Sequence, residues 1–214
     1  MNVISHWLAG RRGIVAGGGE AADYVADALA LAGAAVARIA DPSTDASDIA
    51  VAFDTAQAKL GGTIDLLVHA GVAMAPVSAE TIDLDGWRAT LSADIDGRFL
   101  FTAELGRRLI AAELPGSVLF LMPSSHISGG RSAGAAADGA LANLVKSLAV
   151  EWARLGIRTN AIRSRACEPG GLREESVRRS LGYLSAYLSS GYGAYITGIV
   201  MGTDELPPER SSGD

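Results

Sequence analysis

Short apolar segments alternate with helical patterns along almost the whole chain, and this alternation limits the folds that the sequence can adopt. The apolar segments are typical of strands, and they include "RGIVA", "TIDLLVHAG", "GSVLFLMPSS" and "GIRTNAIR". Strands this apolar cannot face water on either side, so we expect a parallel sheet covered by helices on both faces. The sequence predicts one three-layer α/β domain over residues 1–214. Residues 205–214 form a flexible tail in this prediction, because they are polar and interrupted by proline.

Composition and charge exclude several classes of function. The net charge is −6 and the basic residues are scattered, which argues against nucleic acid or an anionic membrane as a partner. The single cysteine, Cys167, excludes an internal disulfide framework. No apolar run is long enough to cross a bilayer, no secretory signal is visible, and no residues cluster at metal-ligand spacing. We therefore expect a cytoplasmic protein with no metal site.

Four segments in the right order resemble one known family. "TIDLLVHAG" is similar to a strand that ends in Asn-Asn-Ala-Gly, and "DIDGRFLF" to an Asn-x-x-Gly-x-Phe helix segment. "SLAVEWARLGIRTNAI" resembles the helix and strand that follow an active site, and "YITGIVMGTDE" resembles a closing Tyr-Ile-Thr-Gly strand. The family is that of the short-chain dehydrogenases/reductases. The resemblance implies a Rossmann-type doubly wound sheet, which in active members binds NAD(P) at the carboxyl ends of its strands.

The resemblance also locates the positions of the catalytic residues, and most of them have changed. The family uses a Tyr with a Lys one helical turn later, together with a Ser and an Asn. Aligning the helix on "LAVE" places Gly134 at the Tyr position and Asp138 at the Lys position, while Asp94 stands at the Asn position. Ser125, or as a second choice Ser124, matches the family serine. None of the chain's five tyrosines is followed by a lysine four residues later, so we predict vestigial catalytic positions.

The loop that would hold the cofactor has changed as well. The family's Thr-Gly-x-x-x-Gly-Ile-Gly corresponds to "AGGGEAAD", in which Gly17 survives while Ala21 and Asp23 stand at the second and third glycine positions. Acidic side chains near a helix N-terminus oppose a bound pyrophosphate. We therefore expect no cofactor in this chain, with NAD(P) bound by a partner subunit instead. The vestigial loop in this prediction comprises Gly17, Gly18, Gly19 and Asp23.

Asp138 has two interpretations. A carboxylate in an alanine-rich helix can be a buried general base or an ordinary solvated side chain, and the sequence favours the solvated one. On that interpretation a change to Asn has little effect on stability. Further on, "RSR" replaces the Pro-Gly that follows the "NAI" strand in the family.

The long helices keep features of an interface. In the family the helices at residues 86–114 and 132–155 pair across a two-fold axis. A stripe with helical spacing gives one apolar face of the second helix, and we predict that it contacts a partner, although packing on the chain's own sheet explains it equally well. The stripe consists of Leu141, Leu144, Val145, Leu148 and Trp152.

These observations favour a catalytically inactive subunit that assembles with an active short-chain dehydrogenase. The resemblance suggests a hydroxyacyl-CoA dehydrogenase as one such partner. Two alternatives stay open. One is a cryptic enzyme that uses Ser125, Asp94 and Asp138 on an unknown substrate, and the other is a homodimeric ligand-binding sensor.

Overall fold

Six parallel strands form the central sheet of the computed structural model, which describes residues 4–70, 78–124, 132–168 and 170–203. The strands are β1 Arg12–Ala16, β2 Ala35–Ile39, β3 Leu66–Ala70, β4 Gly116–Met122, β5 Ile157–Arg163 and β6 Val200–Gly202. They lie in the order β2-β1-β3-β4-β5-β6, and every neighbouring pair is parallel. The predicted doubly wound α/β sheet is confirmed.

Helices cover both faces of this sheet. They are α1 Glu20–Leu31, α2 Ala46–Leu60, α3 Leu84–Leu91, α4 Gly97–Ala111, α5 Ser132–Trp152 and α6 Glu175–Ser189. Helices α1 and α6 pack on one face, and α2, α4 and α5 pack on the other. The result is two apolar cores with the sheet between them, which is the arrangement that strands buried on both faces require.

Local sequence signals explain where the helices begin and end. The side chain of Asp45 accepts hydrogen bonds from the backbone N–H groups of Ser47 and Asp48, which caps the start of α2. Gly61 ends the same helix in the left-handed region, with φ of 68°. Helix α1 differs, because Gly19 precedes it and no side chain caps it.

The helix that the sequence predicts over residues 86–114 is divided by a π-helical turn. Helix α3 runs into the turn Ser92–Asp96, and α4 continues from Gly97. Such turns insert an extra residue, and they frequently occur at functional sites. This one contains Asp94, which is buried.

The remaining predicted boundaries need little revision. The helix predicted over residues 132–155 is observed as α5 followed by one 3-10 turn, Ala153–Leu155. No helix in the described ranges is long and apolar enough to cross a membrane. The predicted tail at 205–214 lies outside the described residues.

Candidate functional site

The turn between β1 and α1 brings the backbone unusually close to the end of β3. Gly17 has φ of 114°, and a Cβ placed there would lie 2.1 Å from the carbonyl oxygen of Ala70. Only glycine is compatible with this approach. Gly19, with φ of 90°, then leads into the uncapped first turn of α1. The turn therefore keeps the tight strand-to-helix geometry of the first glycine, packed against the end of β3, and an uncapped helix N-terminus of the kind that binds a pyrophosphate.

Asp23 is paired with a cation that the sequence analysis missed. Arg38 on β2 donates from Nη2 to Oδ1 of Asp23 at 2.8 Å and from Nε to the same oxygen at 3.2 Å. Its Nη1 donates to the carbonyl oxygens of Val15 and Gly17, each at 3.0 Å. Arg38 thus offsets part of the Asp23 charge and holds the turn in place, which weakens the repulsion that the sequence predicts for an anion. Glu20, the other acidic residue of this first turn, is exposed.

A second residue at this end of the sheet was also missed. Asp41 is exposed and lies two residues beyond the last residue of β2, Ile39. In dinucleotide-binding folds an acidic residue about 20 positions after the first glycine accepts hydrogen bonds from a ribose hydroxyl. The number of positions between Gly17 and Asp41 in the sequence matches this spacing, and it could have identified Asp41 as a candidate.

Four charged side chains meet at the carboxyl ends of β4 and β5. Arg163, the last residue of β5, donates from Nη2 to Oδ2 of Asp138 on α5. Arg98 on α4 lies with its Nη2 3.5 Å from Oδ1 of Asp94, one turn earlier. Asp94, Arg98 and Asp138 are each at most 9% exposed. We call these four residues the charge cluster.

The position of Asp138 corrects the sequence prediction. The sequence favours a solvated carboxylate, but the residue is 8% exposed and its carboxylate is bound by Arg163. One oxygen of this carboxylate is committed to the guanidinium of Arg163, which also opposes the general-base interpretation. The partner comes from the "RSR" segment that replaces the family's Pro-Gly, and its pairing across 25 residues left no signal in the sequence.

Burial lowers the pKa of Arg98, while the nearby Asp94, Cys167 and Asp138 raise it.

The charge cluster leaves little free space. The pocket beside it has a volume of about 10 Å³, roughly enough for one water molecule. Its lining consists of Asp94, Arg98, Met122, Pro123, Asp138 and Leu141.

The other predicted catalytic positions are only partly described. Ser125 lies outside the described residues. Its neighbour Ser124 is buried and donates a hydrogen bond to Oε1 of Glu168 at 3.0 Å. Gly134 lies on α5 one turn before Asp138, as the sequence register places it, and contributes no side chain. Asp94 and Asp138 are therefore brought together at one pocket, although both are engaged with arginines.

The predicted interface stripe packs inside the chain. Leu141, Val145, Leu148 and Trp152 are each at most 7% exposed and belong to the core between α2, α4, α5 and the sheet. Leu144 is half-buried against the same core. The interface prediction for these side chains is therefore corrected, because residues already buried in their own core cannot cover a partner. The alternative that the sequence left open, packing on the chain's own sheet, is what the structure has.

Different apolar side chains on the same helices are exposed. Val150 on α5 is 83% exposed, and on α4 Phe99 and Ile110 are 44% and 43% exposed. Gly139 and Asn143 share the outward face of α5 with Val150, and a Cβ at Gly139 would meet nothing within 4 Å. We call Phe99, Ile110 and Val150 the outward apolar residues.

Known dehydrogenases match this chain in sequence and in fold. The cis-4-hydroxycyclohexanecarboxylate dehydrogenase of Sinomonas cyclohexanicum is 28% identical over 206 residues, which cover 86% of this chain and 82% of that protein. The gluconate 5-dehydrogenase of Burkholderia cenocepacia superposes with a TM-score of 0.79 at 19% identity, covering 95% of this chain and 97% of that one. The 3-ketoacyl-(acyl-carrier-protein) reductase of Brucella melitensis gives 0.76 at 21% identity, with coverage of 92% and 98%.

The two solved structures bear on the cofactor prediction. The Burkholderia enzyme is in complex with NADP and tartrate, and the Brucella enzyme is in complex with NADH. The expectation that this chain has no cofactor of its own is contradicted by this comparison. Its physical basis is weakened as well, because Arg38 compensates Asp23 and Gly17 keeps the close approach of the turn.

A sequence match covers most of the chain. Residues 12–174 match the family described as Enoyl-(Acyl carrier protein) reductase. Together with the relatives and the fold, this match confirms the resemblance that the four sequence segments indicated. The chain belongs to the short-chain dehydrogenase/reductase family of oxidoreductases.

Proposed function

We propose that this chain is a non-catalytic member of the family that holds a nicotinamide dinucleotide and serves as a subunit beside an active short-chain dehydrogenase. The observation that carries the proposal is the ion pair between Asp138 and Arg163. It stands where the resemblance requires a lysine, one turn after the glycine at the tyrosine position. A bound nicotinamide supplies or accepts hydride, but this helix offers no phenol and no ammonium to move the accompanying proton.

The first half of the proposal concerns the dinucleotide. Gly17 keeps the tight turn between β1 and α1, and Gly19 opens into a helix N-terminus that no side chain caps. Asp41 is exposed at the end of β2, where it suits the hydroxyls of a ribose. These residues fit the pyrophosphate and the first ribose of NAD. The Burkholderia enzyme is in complex with NADP and the Brucella enzyme with NADH, and these complexes support dinucleotide binding.

The second half of the proposal concerns the partner. The outward apolar residues lie on α4 and α5, which are the helices that the family resemblance assigns to subunit pairing. Phe99, Ile110 and Val150 give these two helices exposed apolar surface, which a subunit interface would cover. We assign this face to a subunit of similar size, either an active relative or a second copy of this chain. A hydroxyacyl-CoA dehydrogenase remains our first choice of active partner.

Binding and assembly are tested separately. Calorimetric titration of the purified chain with NAD⁺ should show binding, and the absence of heat with both NAD⁺ and NADP⁺ would contradict the first half. Co-expression with a dehydrogenase encoded beside its gene, followed by size exclusion with light scattering, should give a mixed complex. A monodisperse monomer that forms no complex with such a partner would contradict the second half of the proposal. Binding of a defined small ligand other than a dinucleotide would favour the alternative function, a homodimeric ligand-binding sensor.

A further inference from the structure

Helices α1 and α6 pack together on one face of the sheet, and a pocket of about 100 Å³ opens between them. One water molecule needs about 10 to 15 Å³, so this pocket has room for several non-hydrogen atoms of a ligand. We call it the helix pocket, and neither the glycine turn nor the charge cluster contributes a residue to it. Its lining consists of Ile4, Tyr24, Ala28, Leu31, Arg179, Gly182 and Tyr183.

A glycine keeps this pocket open where the two helices approach each other. A Cβ at Gly182 would lie 3.2 Å from the Cβ of Ala28 and 3.3 Å from the hydroxyl oxygen of Tyr24. These distances are shorter than ordinary van der Waals contacts. A branched side chain at position 182 would therefore displace Tyr24 or compete with a ligand for the space beside it.

Two phenols and one guanidinium are the polar groups of the helix pocket, and its other side chains are apolar. Arg179 is exposed and forms no ion pair or hydrogen bond within the described ranges. The adjacent Arg178 differs, because it is paired with Glu175. None of the lining residues is acidic. The pocket therefore offers one uncompensated positive charge beside an apolar surface, which favours an anionic ligand.

The aromatic wall of the helix pocket is positioned by a cation. The guanidinium carbon of Arg178 lies 5.9 Å from the centroid of the Tyr24 ring, within the range of a cation–π contact. Tyr24 is half-buried, and Tyr183 lies one residue from Gly182 on α6. A planar apolar group packs well against tyrosine rings, and each hydroxyl can donate a hydrogen bond to an anion.

From this arrangement we infer that the helix pocket binds a small aromatic monocarboxylate, with its carboxylate on Arg179 and its ring between α1 and α6. A guanidinium presents two parallel N–H donors that match the two oxygens of a carboxylate. Ala28 lies nine positions after Gly19, roughly 13 Å along the helix axis from the N-terminus proposed to hold a dinucleotide. The inference is therefore independent of the proposed dinucleotide binding, and a ligand here adds to the subunit role without replacing it.

Benzoate and benzamide test the inference, because they share a ring and differ in charge. In a ligand-observed NMR titration of the purified chain, benzoate should bind at least fivefold more tightly than benzamide. The absence of saturable benzoate binding, or equal affinities for the two probes, would overturn the inference. Saturating NAD⁺ should leave the benzoate affinity unchanged. Displacement of benzoate by NAD⁺ would place the anion at the N-terminus of α1 instead.

Three variants locate the site. Arg179→Gln changes an exposed side chain and should weaken benzoate at least fivefold while leaving benzamide unchanged. Arg154→Gln is the matched control, since Arg154 is also exposed but does not line the pocket, and it should leave both affinities unchanged. Gly182→Val should abolish the binding of both probes. If Gly182→Val does not fold, Arg179→Gln decides, and benzoate affinity that survives in Arg179→Gln would contradict the assignment.

Discussion

Arg163 at the end of β5 binds the carboxylate of Asp138, a residue 25 positions earlier on α5, at the place where the family resemblance requires a lysine. Both side chains are mostly buried, with 18% and 9% of their surface exposed. The pair therefore ties the second turn of α5 to the sheet. It also pairs the negative charge of Asp138 with the positive charge of Arg163 at the vestigial site.

Removing one member of this pair should destabilise the fold. Asp138→Asn leaves the Arg163 guanidinium largely buried without its counter-ion, so the free energy of unfolding should fall by about 3 kcal/mol. Arg163→Met should cost a similar amount. The double variant should cost less than the sum, since it leaves no lone charge. Urea denaturation of the four proteins measures this coupling, and additive losses would contradict the pairing.

The matched control is an exposed ion pair of the same type. Asp54 is bound by Arg108, but 70% of its side chain is exposed. Asp54→Asn should therefore lower the free energy of unfolding by less than about 1 kcal/mol.

Cofactor choice is expected to follow the charges beyond β2. Asp41 is exposed there, and Arg38 is engaged with Asp23 and two carbonyl oxygens. A 2′-phosphate would meet the Asp41 carboxylate, so the chain should bind NAD⁺ at least tenfold more tightly than NADP⁺. Asp41→Ala should reduce that ratio, as measured by calorimetry. Equal affinities in the unaltered chain would show that Asp41 does not face the ribose.

His69 should make stability depend on pH. Burial, with a smaller contribution from Arg98, holds the pKa of His69 well below its usual value of 6.5 in the folded chain. Below about pH 6.5 the unfolded chain gains a proton that the folded chain does not, so stability is lost as pH falls. The expected slope is up to about 1.4 kcal/mol per pH unit between pH 6.5 and 5.5.

A pair of histidine variants isolates this effect. His69 Nε2 lies 2.9 Å from Thr102 Oγ1 and its ring stacks on Phe120, so His69→Gln will lower stability at every pH but should flatten the slope. His6 is exposed, and His6→Gln is the matched control for the substitution itself. Urea unfolding at several pH values gives both slopes, and a slope that survives in His69→Gln would assign the proton to another group.

The proposed interface yields a contrast between two neighbouring positions of α5. Val150 is 83% exposed, so Val150→Asp should leave the unfolding free energy of the isolated chain within about 0.5 kcal/mol and should dissociate its oligomer. Leu148 is buried in the core, so Leu148→Asp should unfold the chain instead. Light scattering and circular dichroism separate the two results, and an oligomer that tolerates Val150→Asp would place the interface elsewhere.

The strand and helix pattern was predictable because each element carries its own periodicity. Runs such as "TIDLLVHAG" specify a buried strand without reference to the rest of the chain. The helix that carries Gly134 and Asp138 was predictable for the same reason, since its pattern is continuous. The stripe from Leu141 to Trp152 identified a buried face, but periodicity does not say whether sheet or partner covers it.

The charge pairs could not be predicted in this way. Asp23 meets Arg38 across two elements, and Asp138 meets Arg163 across a helix and a strand. Such pairs depend on how elements pack, which a local pattern does not encode. The burial of Asp138 was hidden because its neighbours are alanines and glycines, which give no amphipathic signal. The π turn at Asp94 likewise leaves the helical pattern of its segment almost unchanged.

The central claim, that this chain holds a nucleotide without performing the family's hydride transfer, is tested most directly by assay of the isolated protein. The purified chain is mixed with NADH and a panel of sugar ketones, cyclic ketones and ketoacyl thioesters, and loss of NADH absorbance is followed at high protein concentration. We expect no turnover above the protein-free rate, because no phenol or ammonium stands at Gly134 and Asp138. Sustained NADH oxidation that disappears in Asp138→Asn, with the fold intact, would contradict this claim.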